Sequence, residues 1–211
     1  MSSDTTRGMK SMARVSKKPE IRRQEMIDAS LELFSSKGYE QTAVSDIVKK
    51  LGVAQGTFYY HFKTKSDIMA AIIESLVTEK VNTISALTDS NLTTEDKLHK
   101  IIWGEEPGEE ESKMLEFLHH ENNAFIHQKI LVQTVQQSVP YVIRILEQGV
   151  TEGIFRIQHL QETAEILLMG IHFMFDPGIF TWSEDTLKHK KLAFQQVVER
   201  MLGDSFAFSQ R

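Results

Sequence analysis

The sequence has no cysteine among its 211 residues. Disulfide bonds and thiolate metal sites are therefore excluded, and the composition agrees with the cytoplasmic location that we predict. No apolar run approaches the roughly 18 residues that a membrane-spanning helix needs. The N-terminus is basic but has no apolar core, so we predict no secretory signal.

Catalytic signatures are also missing, since we find no nucleophile elbow, phosphate-binding loop or HExxH motif. We therefore predict that the protein is not an enzyme and has no cofactor. The alternative is a metal-dependent enzyme that uses the histidines of the C-terminal part. These residues are His119, His120 and Glu121, with His127 and His172.

The spacing of these histidines argues against a metal site. His119 and His120 are adjacent, so on a helix their side chains point about 100° apart and do not easily face one ion. Helical spacing instead puts His120 on a face with His127, and His119 on a face with Asn123. We therefore predict polar or surface roles for the histidines and no bound metal.

Charge is distributed unevenly along the chain. Residues 1–70 hold 12 Lys and Arg against 8 Asp and Glu, whereas the remaining residues hold 12 against 21. The overall net charge is −5, which argues against a protein that coats nucleic acid without selectivity. A basic N-terminal third on an acidic body indicates that one end meets a polyanion.

Apolar spacing predicts an all-α protein of about nine helices without strands. Residues 1–18 are expected to form a flexible basic arm, 19–66 a three-helix head and 67–211 a larger helical domain. Thr42 is predicted to cap the second helix, and Thr64 with Asp67 to form a capping box before a long fourth helix. Pro140 is expected to kink a longer helix or to start a new one. The predicted helices begin with one that starts between residues 16 and 19 and ends at 37, and continue near 43–51, 55–62, 65–87, 95–103 and 113–120. They are followed by 124–152, as one kinked helix or as two that meet at Pro140, then by 162–175 and by a last helix from 183 or 184 to 202.

Residues 42–65 predict a helix-turn-helix unit. The first helix carries an apolar stripe, the turn is Leu51-Gly52-Val53, and Phe58 and Phe62 form the apolar side of the second helix. Its other faces are polar and aromatic, as expected of a helix that enters a DNA major groove. The residues on these faces are Gln55, Thr57, Tyr59, Tyr60 and His61.

The string Gly-Val-Ala-Gln-Gly-Thr-Phe-Tyr-Tyr-His-Phe-Lys-Thr-Lys-Ser-Asp, residues 52–67, resembles the DNA-binding head of the TetR family of transcriptional regulators. The resemblance covers residues 20–70. It is supported by Ala29, Phe34, Gly38, Tyr39, Thr42, Ile47, Gly52, Val53, Gly56, Thr57, Tyr59, His61, Phe62 and Lys65. It implies a two-domain homodimer that binds double-stranded DNA at a palindromic operator, usually as a repressor that a small-molecule ligand releases.

The resemblance also implies roles for individual residues. Bases would be approached by Gln55, Gly56 and Tyr59. Phosphates would be contacted by Thr57, Tyr60, His61 and Lys65. Ser45 would reach a base or a phosphate, and Thr42 would add a phosphate contact to its capping role. The alternative to a DNA contact is a structural role: Tyr59 or Tyr60 would pack on the first helix, and His61 would be a neutral packing residue. Ala54 departs from the family pattern, where serine is common.

In the C-terminal domain the aromatic content suggests a pocket for an apolar or aromatic ligand. The candidate lining residues are Trp103, Phe117, His119, Phe125, His172 and Phe175, although for any single one of the aromatic residues a place in the core is the better explanation. The apolar helix near 162–175, with the helix near 184–202, is expected to form the homodimer interface. A regulator without a small-molecule ligand remains the alternative function.

Overall fold

A computed structural model describes residues 18–104, 108–120, 123–203 and 206–208. In these residues it contains nine α-helices and one π-helical segment, and no β-strand. The predicted all-α class is therefore confirmed. Apart from Lys18, the predicted N-terminal arm lies outside the described residues. None of the helices in the described ranges has the length and apolar character needed to cross a membrane.

The chain divides into two compact units, of which the first ends at Ile68 and the second begins at Met69. Helix α4 contributes its first residues to one unit and the rest to the other. The helices are α1 (Pro19–Lys37), α2 (Val44–Leu51), α3 (Gln55–His61), α4 (Lys65–Thr88), α5 (Thr94–Trp103), α6 (Glu109–His119), α7 (Ala124–Thr151), α8 (Leu160–Met169) and α9 (Glu184–Leu202), with the π-helical segment at Gly170–Met174.

The first unit is a three-helix head around a small apolar core. Phe34 of α1, Ile47 of α2 and Phe58 of α3 are all fully buried. Between α2 and α3, Gly52 adopts the left-handed conformation with φ 63°, which glycine reaches without the steric cost of a side chain. Its amide donates to the Lys49 carbonyl oxygen at 3.2 Å and ends α2. The predicted helix-turn-helix is therefore present.

The start of α2 differs from the predicted cap. The N-cap residue is Ala43, and the Asp46 carboxylate accepts from its amide at 3.0 Å. Thr42 lies one residue earlier and is buried, with its hydroxyl donating to the Gly38 carbonyl oxygen at 2.7 Å. The capping role of Thr42 was thus wrong, because the loop from Gly38 turns this hydroxyl back onto the end of α1.

The capping box at α4 is confirmed. The Thr64 hydroxyl accepts from the Asp67 amide at 3.1 Å, and the Asp67 carboxylate accepts from the Thr64 amide at 3.0 Å. Two amides that lack partners inside the helix are thereby satisfied, which fixes where α4 begins.

The second unit is built on one apolar core to which α5, α7, α8 and α9 contribute. Leu98, Leu146, Leu168 and Leu202 are each completely buried, one from each of these helices. Phe155 enters the core after α7 because Gly149 leaves room for it. A Cβ added to Gly149 would lie 2.1 Å from the Phe155 ring. This core holds the C-terminal domain together.

The structure settles two predictions about where helices break, one at Pro140 and one near the end of the helix predicted at 162–175. Pro140 lies inside a single 28-residue helix, α7, rather than at the start of a new one. Val135 and Val142, on either side of it, are buried in the same core, and this packing offsets the backbone hydrogen bond that proline removes. The helix predicted near 162–175 instead ends as α8 at Met169 and continues as the π-helical segment.

Candidate nucleic-acid interface and effector region

Helix α3 has one buried side and one exposed side. Phe58 is fully buried, whereas Tyr59 and Tyr60 expose 51% and 75% of their surface. Gln55 and Gly56 at the start of the helix are also exposed. Two adjacent exposed tyrosines on a short helix leave apolar ring surface in water, which is typical of a binding surface.

Gly56 is not explained by packing inside the chain. A Cβ added at this position would have no atom within 4 Å, and no left-handed backbone conformation requires glycine there. Alanine would favour the helix by up to about 1 kcal/mol. Packing and backbone conformation within the described chain therefore do not require a glycine at this position.

The end of α3 lies in a positively charged environment. Burial lowers the pKa of His61, and the charges of Arg23 and Arg22 lower it further, against the opposing charge of Glu20. Arg22 is also paired with Glu25 at 2.7 Å. Arg23 also lies over the Phe62 ring, with its guanidinium carbon 5.1 Å from the ring centre. The charge that disfavours a protonated His61 would attract phosphate oxygens. Sequence reasoning missed these two arginines, although the Arg-Arg pair early in α1 was a visible signal.

The other predicted DNA contacts differ in accessibility. Ser45 is exposed and Thr57 is partly exposed. Thr42 is 1% exposed and its hydroxyl donates to the Gly38 carbonyl oxygen, so this side chain is not accessible to a phosphate. Lys65 donates to the Tyr39 carbonyl oxygen at 2.8 Å, and its ammonium lies 4.1 Å from the centre of the Tyr39 ring. Lys65 thus ties the loop after α1 to the start of α4.

These contacts predict a stability role for Lys65. We expect Lys65→Met to destabilise the head by about 1 kcal/mol, because a charged hydrogen bond and a cation–π contact are lost at a partly exposed site. The measurements are chemical denaturation of the full chain and hydrogen exchange at the Thr42 amide, which bonds to the Tyr39 carbonyl oxygen. Lys63→Met, at an exposed site two residues away, is the control. Equal stability and exchange in both variants would contradict the assignment.

In the second unit, three aromatic rings pack together. Trp103 at the end of α5 lies 6.1 Å from Phe175 and 6.2 Å from Phe194 of α9, measured between ring centres. Phe175 and Phe194 are 5.2 Å apart. The close approach of Phe194 depends on Gly170, where an added Cβ would lie 2.5 Å from the ring. This aromatic cluster, Trp103–Phe175–Phe194, unites two of the candidate ligand residues with one that was not predicted.

The remaining candidates for a ligand pocket are dispersed. Phe117 is buried in the domain, and His172 is partly buried, with desolvation lowering the pKa of its imidazole to about 4. Phe125 is 67% exposed, and Lys129 lies over its ring at 4.6 Å. The prediction that Phe125 lines an interior pocket was therefore wrong, because α7 begins at Ala124 and turns this ring outward to solvent.

His119 lies in a second cluster, with His127 and Asp176. The His127 Nε2 donates to Asp176 Oδ2 at 2.9 Å, and the His119 Nε2 lies 3.5 Å from Asp176 Oδ1. The two imidazole centres are 4.9 Å apart. The expected pairing of His120 with His127 was wrong, because α6 ends at His119 and α7 begins only at Ala124, so helical spacing does not carry across.

Electrostatics within this cluster couple the three side chains. Burial raises the pKa of Asp176, but the hydrogen bond and charge of His127, the hydrogen bond from the Gly178 amide and the charge of His119 together leave the pKa below its ordinary value. Burial lowers the pKa of His119. The carboxylate of Asp176 raises this pKa and the positive charge of His127 lowers it, and the net shift is downward. Asp176 therefore favours its ionised form, and His119 its neutral form.

The head and its exposed α3 face define a helix-turn-helix DNA-binding protein. A family model for bacterial regulatory proteins of the tetR family matches residues 26–72. A second, for the tetracyclin repressor-like C-terminal domain, matches residues 109–197. The chain therefore belongs to the TetR family and is a transcriptional regulator.

Similar proteins are known over most of this chain. The fatty acid metabolism regulator protein of Bacillus subtilis is 26% identical over 188 residues, which covers 84% of this chain and 92% of that protein. The solved structure of the Bacillus subtilis regulator FadR with stearoyl-CoA superimposes with a TM-score of 0.52 at 24% identity, covering 85% and 97% of the two chains. A TetR-family regulator from Pectobacterium atrosepticum gives a TM-score of 0.65 at 16% identity, covering 90% and 99%. These structures share the fold.

Proposed function

We propose that the protein is a homodimeric repressor that binds a palindromic operator and is released by a small apolar ligand. The observation that carries this proposal is the exposed α3 surface, where Tyr59 and Tyr60 face solvent beside an unobstructed Gly56. The protein would act in the cytoplasm, where operator DNA is found, and as a regulator rather than an enzyme.

On the operator, the residues divide into two groups. Gln55 would hydrogen-bond to a base edge, Tyr59 would contact bases through its ring, and Gly56 would let the backbone come close. Phosphates would be held by Thr57, Tyr60 and His61, with the charges of Arg22 and Arg23 in support. Ser45 would add a contact from α2. Lys65 would steady the head, and a phosphate contact would be secondary to that role.

The dimer follows from apolar surface on α8 and α9. Ile166 and Met169 of α8 expose 53% and 46% of their surface, and Leu192 and Val197 of α9 expose 55% and 52%. Such side chains leave a large apolar area in water, and burial against a second copy would remove it. A short recognition helix touches few base pairs, so two copies are needed to specify an operator.

For the ligand, we propose an acyl chain carried as a thioester. The Bacillus subtilis regulator, similar to this chain over most of its length, was solved with stearoyl-CoA. In this chain the aromatic cluster Trp103–Phe175–Phe194 offers apolar ring surface, and Trp103 and Phe175 are only partly buried. A ligand that binds the DNA-free state more tightly would shift the population away from the operator complex.

Release by ligand is tested by fluorescence anisotropy on a selected operator fragment. We expect stearoyl-CoA to weaken operator affinity by about 10-fold or more, within the usual range of allosteric coupling, and coenzyme A without an acyl chain to leave it unchanged. Trp103→Ala should reduce the response, whereas Phe125→Ala, at an exposed ring of α7, should preserve it. Operator affinity that no acyl thioester alters would refute this ligand class. It would also favour control without a small molecule.

A further inference from the structure

Three polar side chains meet in the C-terminal unit although they come from separate segments. His119 is the last residue of α6, His127 lies in the first turn of α7, and Asp176 follows the π-helical segment. One donor atom from each lies within 4.8 Å of the others. His127 is 6% exposed as a residue, and the side chain of Asp176 is 10% exposed. The DNA-binding function uses none of the three.

The ring nitrogen of His119 in this cluster lacks a partner. Its Nε2 is buried from solvent and makes no hydrogen bond. The nearest carboxylate oxygen, Asp176 Oδ1, is 3.5 Å away and accepts instead from the Gly178 amide at 2.8 Å. A buried nitrogen without a partner costs free energy of desolvation, about 1–3 kcal/mol, so such an atom calls for a ligand.

The position of the His119 ring is fixed by its surroundings. A Cβ added to Gly178 would lie 2.4 Å from the His119 Cδ2, so this glycine leaves the space that the imidazole occupies. The Gly178 amide also orients the Asp176 carboxylate. Both groups are thus held in place before any ligand arrives, as a metal site requires.

We propose that His119, His127 and Asp176 bind one divalent transition-metal ion of the Zn²⁺ class. Metal–ligand bonds of about 2.0–2.1 Å in a tetrahedral site put neighbouring donor atoms about 3.3 Å apart. The separations from His127 Nε2 to Asp176 Oδ2, 2.9 Å, and from His119 Nε2 to Asp176 Oδ1, 3.5 Å, are close to that value but end on different carboxylate oxygens. With one donor atom taken from each residue, the three atoms lie within 4.8 Å of one another, so the side chains draw closer on binding. On binding, the metal takes the Nε2 lone pairs, so His127 would carry its ring proton on Nδ1, and Asp176 would exchange the hydrogen bond from His127 for the metal.

The donor set selects the kind of ion. Two imidazole nitrogens and one carboxylate suit Zn²⁺, Co²⁺ or Ni²⁺, whereas Mg²⁺ and Ca²⁺ prefer oxygen ligands only. Three protein ligands leave a fourth position for water or for a donor atom of another molecule. The ion would link the end of α6, the start of α7 and the turn at Asp176, three segments of the regulatory domain. The site does not depend on the proposed repressor function.

The experiment measures metal binding by the full chain after treatment with a chelator. We expect one Co²⁺ per chain, with visible absorption bands of a low-coordinate site, and displacement by Zn²⁺ but not by Mg²⁺. His119→Gln and Asp176→Asn should each weaken binding by about 100-fold or more, because each removes a direct ligand. His120→Gln, at the exposed adjacent histidine, is the matched control and should bind as wild type does.

A second measurement does not depend on how well the variants fold. In the wild-type protein, Zn²⁺ should shift the imidazole nitrogen resonances of His119 and His127 and leave those of the exposed His159 and His189 unchanged. Wild-type protein that binds neither Co²⁺ nor Zn²⁺ at about tens of micromolar would overturn the proposal. Equal loss in His120→Gln, or shifts confined to other histidines, would overturn it as well.

Discussion

Gly56→Leu is expected to abolish operator binding while leaving the fold at least as stable as wild type. A Cβ added at Gly56 meets no atom of the chain within 4 Å. Leucine also has a higher helix propensity than glycine, by somewhat less than about 1 kcal/mol. At the DNA surface the same side chain would keep α3 from the bases. We expect operator affinity to fall by about 100-fold or more, since each lost base contact costs about 1–3 kcal/mol in each half-site.

The measurements for this variant are thermal unfolding and operator affinity by anisotropy. Ser35→Leu, which places the same side chain at an exposed position on α1, is the control and should bind DNA normally. If Gly56→Leu unfolds, the glycine has a packing role that the structure does not show. Full operator affinity in a folded Gly56→Leu protein would contradict the placement of α3 in the groove.

Introducing charge on α8 and α9 is expected to split the dimer. Ile166→Glu combined with Leu192→Glu places two carboxylates on side chains that are about half exposed in the single chain. Solvent still surrounds them in the monomer, so the chain should fold. At the interface they would be desolvated without a partner, which is unfavourable. Operator affinity should then fall by about 100-fold or more, because the two heads are no longer linked in one dimer and each half-site must be bound separately.

Light scattering and half-site binding separate the possible outcomes for this double variant. We expect the mass of one chain where wild type gives that of two, with unchanged helical content and weak binding to an isolated half-site. Phe125→Glu introduces the same charge at an exposed aromatic residue of α7, outside α8 and α9, and should remain dimeric. A dimeric double variant would place the interface elsewhere.

Sequence patterns predicted the head well because its determinants are local. Phe58 as core, Gly52 as the turn and Thr64 with Asp67 as a capping box each depend on residues within a few positions of one another. Backbone conformation and helical periodicity act at that range, so a short motif fixes them. The role of Lys65 was less accessible because its partner, Tyr39, is 26 residues away. Thr42 bonds to Gly38, only four residues away, but within an irregular loop where no helical periodicity applies.

The C-terminal domain was predictable only in outline. Pro140 left open whether one helix or two cover this stretch; burial on both sides of it keeps α7 continuous, and that burial depends on distant helices. Asp176 lies 49 residues from His127, so no local spacing could have joined the two. Phe125 was assigned to a pocket by its residue type, whereas its orientation is set by where α7 begins.

Recognition of a palindromic DNA site through α3 can be tested by selection from a random duplex library. We expect enrichment of one palindrome with half-site centres about one helical turn apart, and no enrichment with Tyr59→Ala. Wild-type protein that enriches no sequence, or a Tyr59→Ala variant that enriches the same palindrome equally well, would contradict it.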